Sequence, residues 1–201
     1  GGDTRPVRAR LLAELADALH GLGEELRADE TSARAADLLV ECGDPDVRLR
    51  ARAEIGSCRK VNPFVPLPDR IRRLAEADEA LPPGDDPLRV GLLSRMAVLR
   101  CAVPDGLAAA HADADVAVAM ARRLGDPDLL VMALTDRHYV PAGPEGLAAR
   151  AEAADEMVAL GERARRPDIA LQGYEWRFGD RLDRGLRNPA NADLEAMEAY
   201  A

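Results

Sequence analysis

The sequence predicts an all-α solenoid of stacked helical hairpins with a period of about 40 residues. Three observations carry that prediction. A short proline turn is written four times, around Pro45, Pro87, Pro127 and Pro167, at near-constant intervals. The segments beside it repeat apolar residues at steps of three and four. No segment alternates with period two, so no sheet is expected. A helical hairpin of this length cannot bury both of its faces alone, and stacking neighbours supply the missing contact. An ordinary helical bundle is the alternative, because periodicity leaves handedness and curvature open.

The elements follow in order, nine or ten helices in all. A first helix is expected over Thr4–His20. Its hairpin partner runs to "ECGDPDVRLRA" (Glu41–Ala51), the first copy of the turn. There Gly43 can take the left-handed conformation that ends a helix. Asp44 is a natural N-cap, and Pro45 sits at the first helical position, where its missing N–H costs nothing. "VNPFVPLP" from Val61 breaks the next helix and reads as a linker. "DRIRRLAEADEA" (Asp69–Ala80) then mixes both charge signs along a solvated helix face. The second turn, "PPGDDPLRVGLL" (Pro82–Leu93), offers Gly84, Asp86 and Pro87 in the same three roles. "VPDG" at Val103 is a breaker. From Pro104 to Gly125 a long helix lines up Leu107, Ala110, Ala114, Val118, Ala121 and Leu124. Ala109, Val116 and Met120 fall roughly opposite, as suits a helix sandwiched in a stack. Gly125, Asp126 and Pro127 form the third turn, followed by a shorter helix, "PDLLVMALTDRH", and the breaker "VPAGPEG" from Val140. The fourth turn, Arg165-Arg166-Pro167, keeps the proline without glycine or cap. It is expected to be the loosest, and an aspartate at Arg166 to supply the missing cap. A last helix is expected near Asp193.

Composition excludes several classes. Of 201 residues 47% are hydrophobic, which argues against disorder. Only 3% are aromatic, so the core must be Ala, Leu and Val, suited to closely approaching helices. The net charge of −9 comes with no concentrated basic face, so direct nucleic-acid binding is not expected. Cys42, Cys58 and Cys101 are odd in number and widely spaced, which points to small buried thiols and a reducing cytoplasm. No apolar run is long enough to span a membrane, and no signal peptide is recognisable. The chain starts without Met and stops in mid-pattern. One helical-repeat domain over residues 1–201, excised from something longer, is the expected organisation.

Chemistry-bearing motifs are absent. No phosphate-binding loop, zinc-protease helix or nucleophile elbow occurs. His20, His111 and His138 are too scattered for a zinc site with the cysteines, so neither metal nor cofactor is expected. His111 and Asp115 stand four residues apart on one helix, where two ligands alone would bind a metal poorly. With Arg122 they form a narrow polar strip beside the small Ala108 and Ala119. That strip is expected to be solvent-accessible: either an ordinary exposed strip on the convex side or a candidate binding surface facing the groove of the solenoid. "GYEWRFGD" (Gly173–Asp180) gathers three of the six aromatics. Its Trp176 and Arg177 are residue types enriched at interface hot spots, although a chain so poor in aromatics more often spends its single Trp between two helices.

The "LGDP" turn between Ala-Leu-Arg helices, with "IALQGYEWRFGDRLDRG" (Ile169–Gly185), resembles the tetratricopeptide-like regions of large actinobacterial regulators. These are the LuxR-type, MalT-like ATP-dependent activators and related antibiotic regulatory proteins. Trp176, Arg177, Gly179 and Asp180 carry the likeness. The resemblance implies a non-catalytic module that binds a protein segment or small effector and acts on other domains of the same chain. An all-α small-molecule pocket or enzyme domain, or a structural segment that forms a homodimer, remain the other readings.

Overall fold

The computed structural model describes residues 3–43, 46–58, 66–140 and 147–200. Within them the chain forms ten helices and no strand. In chain order these are α1 (Arg5–Gly21), α2 (Glu25–Cys42), α3 (Val47–Ser57), α4 (Leu67–Ala80) and α5 (Pro87–Arg100). Then come α6 (Leu107–Leu124), α7 (Pro127–Tyr139), α8 (Leu147–Ala164), α9 (Pro167–Asp183) and α10 (Arg187–Glu198).

The turn chemistry sets several of these boundaries. Pro87, Pro127 and Pro167 each open a helix. Asp86 accepts a hydrogen bond from the Leu88 N–H at 2.9 Å. Asp126 accepts from the Asp128 and Leu129 N–H groups at 2.9 and 3.3 Å. Gly43 and Gly125 end α2 and α6 in the left-handed conformation. The first turn departs from expectation, since α3 begins at Val47 under an Asp46 cap that accepts from the Leu49 N–H. Asp44 and Pro45 lie outside the described residues, as do residues 61–65 and 141–146 of the two linkers. Gly84 has a positive φ but ends no helix, because α4 stops at Ala80 and Leu81 is already extended. The long sixth helix starts at Leu107 and not at Pro104, with Asp105 left-handed in the link before it.

The fourth turn closes without glycine. The Arg166 N–H donates to the Gly161 carbonyl at 2.9 Å and the Arg165 N–H to Glu162 at 3.2 Å. This is the paired bonding of a Schellman end, with Arg165 at φ 54 in the place usually held by glycine. A side chain there is strained by about 1–2 kcal/mol. Arg166 makes no cap but ion-pairs with Asp168 at 2.7 Å and Asp128 at 3.4 Å. An aspartate at 166 would gain a cap and face two carboxylates, so the improvable position is Arg165.

Each helix packs on the next, and α1, α3, α5 and α7 also pack directly on one another in a row. One core cluster runs from Ala51 on α3 to Trp176 on α9. A smaller one joins Ala9 and Ala13 of α1 to Ala35, Ala36 and Leu39 of α2. On α6, Ala110, Ala114, Val118 and Ala121 are buried as expected, whereas Leu107 and Val116 are exposed. Met120 supports the second apolar face, which is therefore covered only toward the end of the helix.

Small side chains let the backbones approach. A Cβ on Gly161 would sit 2.3 Å from the Ala170 backbone nitrogen, and one on Gly173 2.6 Å from that of Val158. Arginines then bridge neighbouring repeats at the periphery. Arg48 reaches Asp86 at 2.5 Å, Arg123 reaches Asp85 at 2.8 Å and Arg73 reaches Asp37 at 2.7 Å. Sequence separations of 38, 38 and 36 residues place each partner one repeat away.

Four stability outcomes follow from these contacts, each read as a denaturant midpoint. Asp126→Ala should destabilise by about 1 kcal/mol through loss of the cap. Arg165→Gly should stabilise by up to about 1 kcal/mol by relieving the left-handed side chain. Gly161→Ala should destabilise by about 1–3 kcal/mol through overpacking, whereas Gly179→Ala, in open space on α9, should be neutral or stabilising.

Candidate functional site

Helix α9 presents two chemically different faces. Its buried face carries Ile169, Ala170, Gly173, Tyr174, Trp176 and Asp180. Trp176 is 9% exposed and stacks on His138 of α7, with centroids 4.1 Å apart and planes 7° from parallel. The His138 Nε2 lies 3.8 Å from an Asp180 carboxylate oxygen, and Arg150 of α8 reaches the other oxygen at 2.5 Å. Burial, reinforced by the Arg150 charge, pushes the His138 imidazole down to about 4, so it is neutral at pH 7. Burial also raises the Asp180 carboxyl against the pull of Arg150. The cluster ties α7, α8 and α9 together from inside.

Arg177 is equally committed. Its Nε donates to Asp193 of α10 at 2.8 Å and its Nη1 to Asp155 of α8 at 2.9 Å. The guanidinium also lies 5.0 Å from the Tyr174 ring centroid. Asp193 is almost wholly buried and takes a second arginine, Arg181. Trp176 and Arg177, expected as candidate anchors for a partner, are therefore occupied inside the chain. The aromatic body fills the interior, and the guanidinium is a strut between helices.

The other candidate residues lie on α6, which does not pack against α9. His111 is half-buried, while Asp115 and Arg122 are exposed. Asp115 is held 2.7 Å from Arg137 of α7, and Arg122 pairs with Glu156 of α8. The helices whose backbones pack closely across repeats are α1, α3, α5 and α7, so α6 belongs to the opposite row, which side-chain ion pairs bridge. The strip is accessible as expected, but its helix is not among those packed side by side across repeats. Among the described residues no group of three or more His, Cys, Asp or Glu side chains could hold a metal ion. No helix of the described chain is long and apolar enough to cross a membrane.

An opening lies along the more exposed flank of α9, with Ile169 at the edge shared with the buried face. Between α7 and α9 the row loses its close backbone packing, and an open groove of about 560 Å³ lies there. Its apolar lining is Val131 of α7, Ile169 and Leu171 of α9 and Met197 of α10. Arg166, Asp168, Gln172 and Glu175 supply the polar lining. Arg166 holds the Asp168 carboxyl below its ordinary range, so that group is an ionised acceptor and not a proton donor. Comparison with known proteins finds no matching family model and no matching curated protein.

Trp176 and Arg177, singled out from the sequence, and the groove residues lie on the same helix, on different sides of it. Asp168, Leu171, Gln172 and Glu175 are spaced as one helical face, and that signal was legible. Val131 and Met197 join them only through tertiary packing.

The His138 cluster makes stability depend on pH. A folded-state value near 4, against an ordinary 6.5, means that its contribution is complete above about 6.5 and is lost as pH falls toward 4. His138→Phe keeps a flat ring against Trp176 and removes the titration. Urea midpoints should thus fall more steeply between pH 7 and 5 in the parent chain than in the variant. Parallel pH profiles would show that His138 is not the group responsible.

Proposed function

We propose that this chain is a non-catalytic helical-repeat interaction module, working within a larger cytoplasmic transcriptional regulator. The observation that carries the binding role is the groove between α7 and α9, open to solvent and lined by apolar and charged side chains together. Open grooves of mixed lining suit a polypeptide segment, whereas small-molecule sites bury most of their ligand. The regulator context rests on the resemblance of the turns and of Ile169–Gly185 to regulators of the LuxR type. In such a module, occupancy of the groove would shift the balance between states of the attached domains, in proportion to its preference for one of them.

The groove reading is tested by selecting a displayed library of random 16-residue peptides against the purified chain, with Leu171→Glu as counter-selection. Clones that bind the parent and fail on the variant are expected, with circular dichroism showing the variant folded. Absence of any groove-dependent clone would overturn the reading. For the regulator context, the coding sequence around this chain should specify an ATPase and a helix-turn-helix.

A further inference from the structure

We propose that the groove between α7 and α9 takes a basic amphipathic helix, an inference that rests on the interaction-module reading. The backbone supplies the first argument. Polypeptide segments dock on folded domains in a few recurrent ways. Strand addition needs a free sheet edge, and the described residues contain no strand. Polyproline recognition needs aromatic walls, and no aromatic side chain lines this groove. Capture of a phosphorylated or acidic motif needs a cluster of unoccupied arginines. Arg166 is the single one here, and it is engaged by both Asp168 and Asp128. Of the recurrent modes, the one that a lining of aliphatic side chains fits is the apolar face of a helix laid between two helices, anchored at positions i, i+3, i+4 and i+7.

Charge supplies the second argument. The single cation at the groove is set against two carboxylates, and Asp128 and Asp168 each keep most of their side-chain surface in water. Glu175 is exposed further along α9 and enters no ion pair among the described residues. The groove and its rim thus carry an excess of negative charge, on a chain whose net charge is already −9. An acidic segment would be repelled locally and at long range. A basic one would be steered in and would pair with Glu175 and the outer oxygens of Asp168. The apolar lining, Val131, Leu171 and Met197, would take the other face of the helix.

The clones selected above supply the test. Groove-dependent sequences should carry net positive charge with apolar residues at helical spacing. The strongest, made as a fluorescent peptide, should bind more weakly as salt rises from 50 to 200 mM. Glu175→Lys should weaken it roughly tenfold in an anisotropy titration. Glu79→Lys makes the same change in net charge at an exposed position of α4, which does not pack on α9, and should alter affinity less than about twofold. Groove-dependent clones that are neutral or acidic would overturn this inference while leaving the interaction-module reading intact. Equal losses from the two lysine variants would also overturn it, because only net charge would then be acting.

Discussion

Close approach of helix backbones is the constraint on which the rest of this molecule depends. At the α8–α9 crossing, Gly161 and Gly173 stand where any side chain would strike the backbone of the facing helix. Elsewhere alanine does the same work, with Ala9, Ala35, Ala51, Ala97, Ala117 and Ala154 essentially without exposed surface. Each alanine removes little apolar area from water, at about 25 cal/mol per Å². The stack therefore gains its burial by repetition, through dispersion contacts between surfaces brought unusually near. A core of this kind tolerates enlargement poorly, because overpacking displaces whole helices.

Arginines complete what small residues begin. An alanine-lined interface constrains sliding along a helix only weakly, whereas a guanidinium one repeat away from its carboxylate fixes an angle and a distance. Exposed pairs such as Arg123 with Asp85 contribute little stability individually. Glu54 differs, since it is 2% exposed and meets the Arg73 Nε at 2.9 Å. Burial still raises the Glu54 carboxyl above its ordinary range. Such a pair costs desolvation, and its contribution is to orientation more than to stability.

The packing changes character between α7 and α9. Where backbones separate, large flat groups take over, with Trp176 against His138 inside and the groove along the more exposed flank of α9. Both features have one cause, the wider spacing of these two helices. The only tryptophan is consumed in bridging that gap. The groove on the outer flank of α9 is accordingly left aliphatic and acidic.

How much of this was legible beforehand depends on how local each feature is. Helix punctuation was, because Asp86, Asp126 and the prolines act on their own backbone within three residues. The exclusion of strands and the presence of a repeat were legible for the same reason, from spacing alone. Asp46 caps α3 where the repeated pattern pointed to the aspartate before Pro45, because the cap falls to whichever residue directly precedes the first helical turn. Trp176 and Arg177 were visible as distinctive residues, but the side of α9 that meets α7 and α10 was not. His138, Arg150 and Asp180 come together from three helices, and no spacing in the chain announces them. The sequence by itself determined the helices and their repeat, since these are set by hydrogen bonds and steric fit between near neighbours. Only the tertiary structure decided which faces are covered, since helix spacing depends on the summed volumes of side chains far apart in the chain.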